Sequence, residues 1–63
     1  MDRRRYKIVP ITRDRDHYCI VEDSANVVVN TGPLDYEPAV NNAKEKNMQV
    51  IRNNEVAARK AGL

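Results

Sequence analysis

Residues 17–29 read HYCIVEDSANVVV, two strand-forming runs on either side of a turn. The runs over 17–22 and 27–31 are rich in β-branched and aromatic side chains, which favour β-strands. Between them, the aspartate and serine side chains can bond to nearby backbone groups, and Asn26 tolerates the left-handed conformation of a tight turn. The stretch therefore predicts two antiparallel strands joined by a turn.

A third strand is predicted upstream, over residues 5–11. Its apolar side chains alternate between two faces, with Tyr6 and Ile8 on one face and Val9 and Ile11 on the other. Pro10 has no N–H to donate to a neighbouring strand, so it places this strand at a sheet edge or introduces a bulge. The charged segment 12–16 is predicted to be a loop. Three short strands in sequence order predict an antiparallel meander.

A helix is predicted over residues 36–61, which makes the fold α+β. Asp35 stands at the N-cap position, and Gly62 supplies the C-terminal stop. The inward positions follow a helical stripe: Tyr36, Val40, Ala43, Asn47, Val50 or Ile51, Asn54, Ala57 or Ala58, and Ala61.

Two asparagines, Asn47 and Asn54, interrupt this stripe seven residues apart. In a continuous helix they would lie on the seam, where asparagine fixes the register of paired helices at some cost in stability. The alternative is a break, with a helix ending near Asn47, a fourth strand over 48–52 and a short helix capped by Asn54. We expect the long helix, straight or kinked near 47–54.

The length of this helix, compared with that of the strands, predicts that the chain self-associates. A helix of about 26 residues spans about 39 Å, whereas strands of five or six residues reach about 20 Å. Part of the helix therefore overhangs the sheet, and 63 residues are few for a self-sufficient core. We expect a homodimer that pairs either helices or edge strands, with Val50, Ile51, Asn54 and Ala58 as the interface residues on the helix.

The net charge of +2 conceals an uneven distribution. Residues 1–21 carry +3, residues 22–43 carry −4 and residues 44–63 carry +3. The basic ends suit a partner that is steered electrostatically. Residues 1–4 are predicted to be a flexible basic arm on a single small domain formed by residues 1–63.

The sequence contains few residues that could form a catalytic or metal-binding site. Cys19 and His17 share a strand face, but the chain has no second cysteine or histidine, no glycine-rich loop and too little bulk for a deep cleft. One cysteine cannot form a disulfide within the chain, and one cysteine with one histidine cannot provide three or four zinc ligands. We expect no catalytic, metal or cofactor site, no small-molecule substrate, and a reducing, cytoplasmic setting. We also expect no secretory leader and no membrane span, since no apolar run reaches about 18–20 residues.

One resemblance is carried by residues 17–61. A strand ends in the acidic turn of CIVEDSANVVV (19–29), and the helix that follows bears Ala43, Ile51, Asn54-Glu55 and Ala57-Ala58. This order resembles a pattern common in small bacteriophage-encoded accessory proteins. The resemblance implies a compact protein that binds host machinery, since several inhibitors of bacterial defence systems are similar in size and shape.

The sequence thus predicts a small non-enzymatic protein that binds a host protein and inhibits or redirects it. The expected contact surface combines basic side chains with aromatic anchors: Arg3, Arg4, Arg5, Tyr6, Arg13, Arg15 and Tyr18. The same arginines leave open sequence-independent binding of nucleic acid, with the arm tracking phosphates. A structural subunit of a larger assembly is the third alternative.

Overall fold

The computed structural model describes residues 2–62. These residues form three strands and one helix: β1 (Tyr6–Ile11), β2 (Asp14–Glu22), β3 (Val27–Leu34) and α1 (Tyr36–Ala61). The strands pair antiparallel in the order β1-β2-β3. The predicted α+β meander is confirmed. Because α1 is continuous, the alternative fourth strand over 48–52 is wrong.

Pro10 has both of the predicted effects on β1. The strand lies at an edge of the sheet, and its register with β2 shifts between Pro10 and Ile11. Beyond this shift Ile11 pairs with Asp14, so β2 begins at Asp14 and not at residue 17. The predicted loop over 12–16 is therefore too long, because an exposed strand end tolerates charged side chains that a core would reject.

Gly32 lets β3 continue to Leu34, past the predicted end at residue 31. Its φ of +68° lies in the left-handed region, and a Cβ there would come within 2.5 Å of the Tyr18 carbonyl oxygen. The paired strand accommodates this conformation through a register shift between Tyr18 and Ile20. Glycine therefore permits an irregular pairing where the sequence pattern indicated a stop.

The core lies between the sheet and the first half of α1. Ile20 on β2 is fully buried, and it packs against Ala39 and Ala43 on α1. Four partly buried side chains surround this contact: Tyr6, Ile8, Tyr18 and Leu34. The alanines are small, so the helix backbone approaches the sheet closely around a single large side chain.

The opposite face of the sheet has no helix on it. The side chains on this open face are mostly apolar: Val9, Ile11, Cys19, Val21, Val28 and Thr31. α1 packs on β1 and β2 from the side of Ile20, and strand alternation directs the open-face set away from it. The predicted division of β1 between its two faces is confirmed.

The C-terminal part of α1 overhangs the sheet, as the length argument predicts. Val50 is the last buried residue of the helix, and every described residue after it except Asn54 is exposed. The molecule is accordingly elongated, with principal extents of 49 × 21 × 10 Å. Gly62 ends the helix by donating its N–H to the Ala58 carbonyl at 2.8 Å, whereas the Asp35 side chain makes no capping bond.

Candidate partner-binding groove

Asn47 and Asn54 bind the backbone of the N-terminal segment, residues 2–6. The Asn47 side chain accepts a hydrogen bond from the Tyr6 N–H at 2.8 Å and donates one to the Tyr6 carbonyl at 3.0 Å. Asn54 makes the same two bonds with Asp2, both at 2.9 Å. Each amide thus pairs with the backbone as a neighbouring strand would. The polar interruptions of the helical stripe are the sites at which α1 holds this segment.

The spacing of the asparagines matches the spacing of the residues that they bind. Seven helical residues rise by about 10.5 Å, and the four extended steps from Asp2 to Tyr6 cover about 13 Å. On the other side of the segment, the Arg5 carbonyl accepts a hydrogen bond from the Asp23 N–H at 2.7 Å. The segment is therefore bonded to α1 on one side and to the turn between β2 and β3 on the other.

Glu22 strengthens the second of these attachments. Its carboxylate belongs to a residue that is 5% exposed, and it accepts hydrogen bonds from the N–H groups of Arg5, Ser24 and Ala25 at 2.8–3.1 Å. The Ser24 hydroxyl donates a further bond at 2.7 Å. The bond from this hydroxyl, followed by those from the backbone, lowers the pKa of Glu22 to about 2. An ionised carboxylate therefore ties the segment to the turn.

An open groove of about 1090 Å³ lies where the segment, the turn and α1 meet. Arg3, Arg4 and Arg5 contribute its basic lining, and Val50 and Ile51 contribute its apolar lining. Ile51 is 50% exposed, so much of its apolar surface is open to a ligand. The groove combines positive charge with apolar surface.

Ion pairs neutralise only part of the charge at the groove. Arg4 is paired with Asp2 at 2.6 Å, and Lys7 is paired with Asp23 at 2.8 Å. The hydrogen bonds from Arg4 lower the pKa of Asp2 to about 2. Within residues 2–62, Arg3 and Arg5 have no carboxylate partner. The groove therefore carries two uncompensated positive charges.

Of the remaining predicted contact residues, Arg13 and Arg15 lie at the far end of the sheet and Tyr18 lies in the middle of β2. Arg13 and Arg15 belong to the hairpin between β1 and β2, about 20 Å along β1 from Arg5. Tyr18 packs edge-on against Tyr36, with ring centroids 5.5 Å apart. The structure thus brings together the N-terminal members of the predicted set, including Tyr6. It leaves Arg13 and Arg15 at the opposite end and packs Tyr18 against the core.

His17 and Cys19 have separate partners. His17 contacts Asp14 at 2.6 Å through Nδ1 and approaches Asp35 to 3.5 Å through Nε2. The Cys19 thiol donates to the Val9 carbonyl at 3.5 Å. Among residues 2–62, no three His, Cys, Asp or Glu side chains lie close enough together to hold a metal ion.

The four residues predicted for a helix-based dimer have different surroundings. Val50 is 7% exposed within the single chain, and Asn54 is bonded to Asp2. Ile51 and Ala58 are exposed. A dimer that used all four would have to displace the N-terminal segment from Asn54, and the homodimer itself stays a prediction.

The helical stripe in the sequence marks Asn47 and Asn54 but does not indicate that they bind the backbone of residues 2–6. Glu22, Asp23 and Ser24 lie outside the set of predicted contact residues. The available signal is the order of these three residues at a strand end. Carboxylate and hydroxyl side chains in a tight turn commonly bond to nearby backbone N–H groups. The long-range bond from Arg5 to Glu22 has no comparable local signal.

No helix in the described part of the chain combines the length and the apolar character needed to cross a lipid bilayer. In comparisons by sequence and by structure, no protein-family model, no curated protein and no solved structure matches the chain. The geometry and the charge of the groove are therefore the basis for assigning a function.

Proposed function

We propose that this chain is a small non-enzymatic binding protein, of the phage-accessory kind, that binds an acidic segment of a host protein in its groove. The observation that supports this function is the position of Arg3 and Arg5 beside Val50 and Ile51. The two arginines lack carboxylate partners among residues 2–62. Uncompensated positive charge beside apolar surface suits a segment that carries carboxylates next to an apolar anchor.

Each part of the groove has a chemical role in this proposal. A guanidinium donates two parallel hydrogen bonds to a carboxylate, so Arg3 and Arg5 can each bind an acidic side chain. An apolar side chain of the partner that covers Ile51 removes apolar surface from water, and this burial stabilises the complex. Because Asn47 and Asn54 hold the backbone beneath the arginines, binding orders fewer groups and loses less entropy.

The test is quantitative capture of proteins from host lysate, followed by titration of the captured protein against purified variants. Arg3→Ala/Arg5→Ala removes the uncompensated charges of the groove. Arg13→Ala/Arg15→Ala is the matched control, since it removes the same charge from the far end of β1. We expect the groove variant to weaken binding by about tenfold or more and the control to change it by about twofold or less. Equal losses in the two variants would contradict binding in the groove.

Nucleic acid is the second candidate partner, because uncompensated arginines also bind phosphates. Asp2 and Asp23 in the same groove repel carboxylates and phosphates alike, so the apolar lining of Val50 and Ile51, which a sugar-phosphate backbone does not match, is what favours the protein partner. Fluorescence anisotropy with labelled single- and double-stranded oligonucleotides separates the two. Binding that weakens steeply with salt and disappears in Arg3→Ala/Arg5→Ala would favour nucleic acid, and absence of binding at low salt would exclude it.

A further inference from the structure

The chain exposes more surface than a folded protein of its mass ordinarily does. Its accessible surface is 5057 Å², whereas a folded monomer of 7.2 kDa has about 4100 Å². The excess of about 900 Å² is close to the roughly 800 Å² that each partner buries in an interface of standard size. The surplus is close to the area that one further chain covers, and the exposed C-terminal turns of α1 contribute to it together with the open face of the sheet.

The open face of the sheet offers apolar surface for such a chain. Val28 on this face is 51% exposed, whereas Val21 is 7% exposed. Val9 pairs with Cys19 and Val21 pairs with Val28, so these apolar side chains adjoin one another across all three strands. They lie along a shallow depression of about 470 Å³ that no described element fills. The sheet is therefore apolar on both sides and covered on one.

Among the described residues that line the depression of the open face, the charge is at one end. Arg13 lies in the turn at one end. Lys7, beside Val21 on the adjacent strand, is paired with Asp23 at 2.8 Å. A second apolar surface could therefore cover the centre of the face without burying an unpaired charge.

α1 offers no comparable surface. Its large exposed apolar side chains are those of Tyr36, Met48, Ile51 and Val56, which are 47–59% exposed. Because successive helical residues are about 100° apart, Ile51 and Val56 point about 140° away from each other around the helix axis. One partner helix could not cover both.

We propose that a second copy of this chain covers the open face, with the two sheets packed face to face about a two-fold axis. Packed sheets lie about 10 Å apart, and a two-fold axis brings the same patch of both chains together. Val28 and Cys19 of each copy then meet the sheet of the other. The interface lies on the layer opposite α1, so the dimer presents two grooves, one on each outer side.

Val27 and Val28 provide a matched pair of variants. Both are 51% exposed on β3, but Val28 pairs with Val21 on the open face and Val27 pairs with Glu22 on the side of α1. Sedimentation equilibrium of the whole chain, from about 1 µM to about 1 mM, should show the mass rising to twice that of the chain for wild type and for Val27→Lys. Val28→Lys should raise the dimer dissociation constant on the order of 100-fold, because it brings like charges together in an apolar interface.

Cys19 supplies a readout on the unmodified chain. It is partly exposed in the single chain, so its reaction with a maleimide should slow as rising protein concentration drives the sheets together. Val28→Lys should abolish this slowing, and Val27→Lys should retain it. A monomer at about 1 mM, an assembly larger than a dimer, or a dimer whose Cys19 reacts at the monomer rate would overturn the proposal. A dimer that survives Val28→Lys and is lost in Val27→Lys would overturn it as well.

Discussion

Glu22 joins three parts of the chain: the N-terminal segment, the turn after β2 and β2 itself. Its carboxylate binds the backbone of Arg5 in the N-terminal segment and both the backbone and the side chain of Ser24 in the turn, while Glu22 itself ends β2. A buried carboxylate with several donors is held in its ionised form. Protonation removes acceptor capacity from the groups that donate to Glu22, so one residue couples the fold to acidity.

The stability of the fold is expected to fall below about pH 4.5. The pKa of Glu22 is about 2 in the fold, against an ordinary value of 4.5. Because the folded-state pKa is the lower one, the stabilisation is complete above about pH 4.5 and is lost as the pH falls toward 2. Urea unfolding at about pH 7, 5, 3 and 2 measures this loss. Equal free energies of unfolding at all four pH values would contradict it.

Two variants assign the acid sensitivity to its source. Glu22→Gln should flatten the pH dependence and lower the thermal midpoint at neutral pH by roughly 5 °C, because an amide accepts fewer hydrogen bonds than a carboxylate. Asp2 also has a pKa of about 2 and titrates in the same window. Asp2→Asn is therefore the control, and it should leave the larger part of the pH dependence in place.

At the scale of elements, α1 is divided into two halves with different functions. The first half uses Ala39 and Ala43 to approach Ile20 closely. The second half uses Asn47 and Asn54 to bind extended backbone. A helix that overhangs its sheet is thus partly covered by the N-terminal segment of the same chain.

Asn47→Ala should lower the free energy of unfolding by about 1–2 kcal/mol. The substitution leaves the N–H and the carbonyl of Tyr6 without their amide partner. Asn53→Ala is the matched control on the same helix, because Asn53 is exposed and bonds only to the exposed Gln49. The control should be neutral or slightly stabilising, since alanine is the better helix former. Urea unfolding compares the two variants, and equal effects would contradict a special role for Asn47.

The limits of α1 were predictable because they depend on local signals, whereas those of β2 and β3 depend on pairing. Asp35 and Gly62 flank α1 at the predicted places. The start of β2 is set by the pairing of Ile11 with Asp14, and the end of β3 requires Gly32 to fit against Tyr18. Such pairings join residues on different strands, and a composition read along one strand does not contain them.

The assignment of valines to sheet faces shows the same limit. A run of three valines, 27–29, has no apolar–polar alternation from which a face could be inferred. The register shift between Ile20 and Val21 decides which of them belongs to the open face. The open face was therefore foreseeable on β1, where the alternation is clear, and not on β3.

At the scale of the whole molecule, α1 is longer than the sheet. One end of the molecule is therefore formed by the sheet packed against α1, and the other end is formed by α1 alone. The core, the groove and the open face all lie within residues 2–54. The described residues beyond Asn54 are exposed. The last turns of α1 are therefore dispensable for each of these features.

A chain shortened to end at Val56 should keep the fold and the dimer. We expect an unchanged sheet signal in circular dichroism and a thermal midpoint lowered by roughly 5 °C or less, because only exposed helical turns are lost. The shortened chain lacks Ala58, so a dimer built through the helix should dissociate, whereas a dimer built through the sheets should persist. Loss of the dimer in sedimentation equilibrium would contradict an interface formed by the sheets and would favour one formed by α1.

The candidate site was predictable in its composition but not in its extent. Arg3–Arg5 and Tyr6 line or border the groove as the sequence indicated. Arg13 and Arg15 are close to them in sequence, yet the length of β1 carries them to the other end of the sheet. The apolar part of the groove comes from residue 50 and beyond, which only the docking of the N-terminal segment on α1 brings near the arginines.

The docking bonds have a consequence for how this surface can change. Asn47 and Asn54 hydrogen-bond to peptide groups of residues 2–6, and every amino acid except proline supplies the same N–H and carbonyl. Side chains at positions 3 and 5 are therefore not specified by the docking, although the backbone that carries them is. The helix and the turn thus fix the backbone of residues 2–6, and substitutions at positions 3 and 5 can alter what is bound without changing the fold.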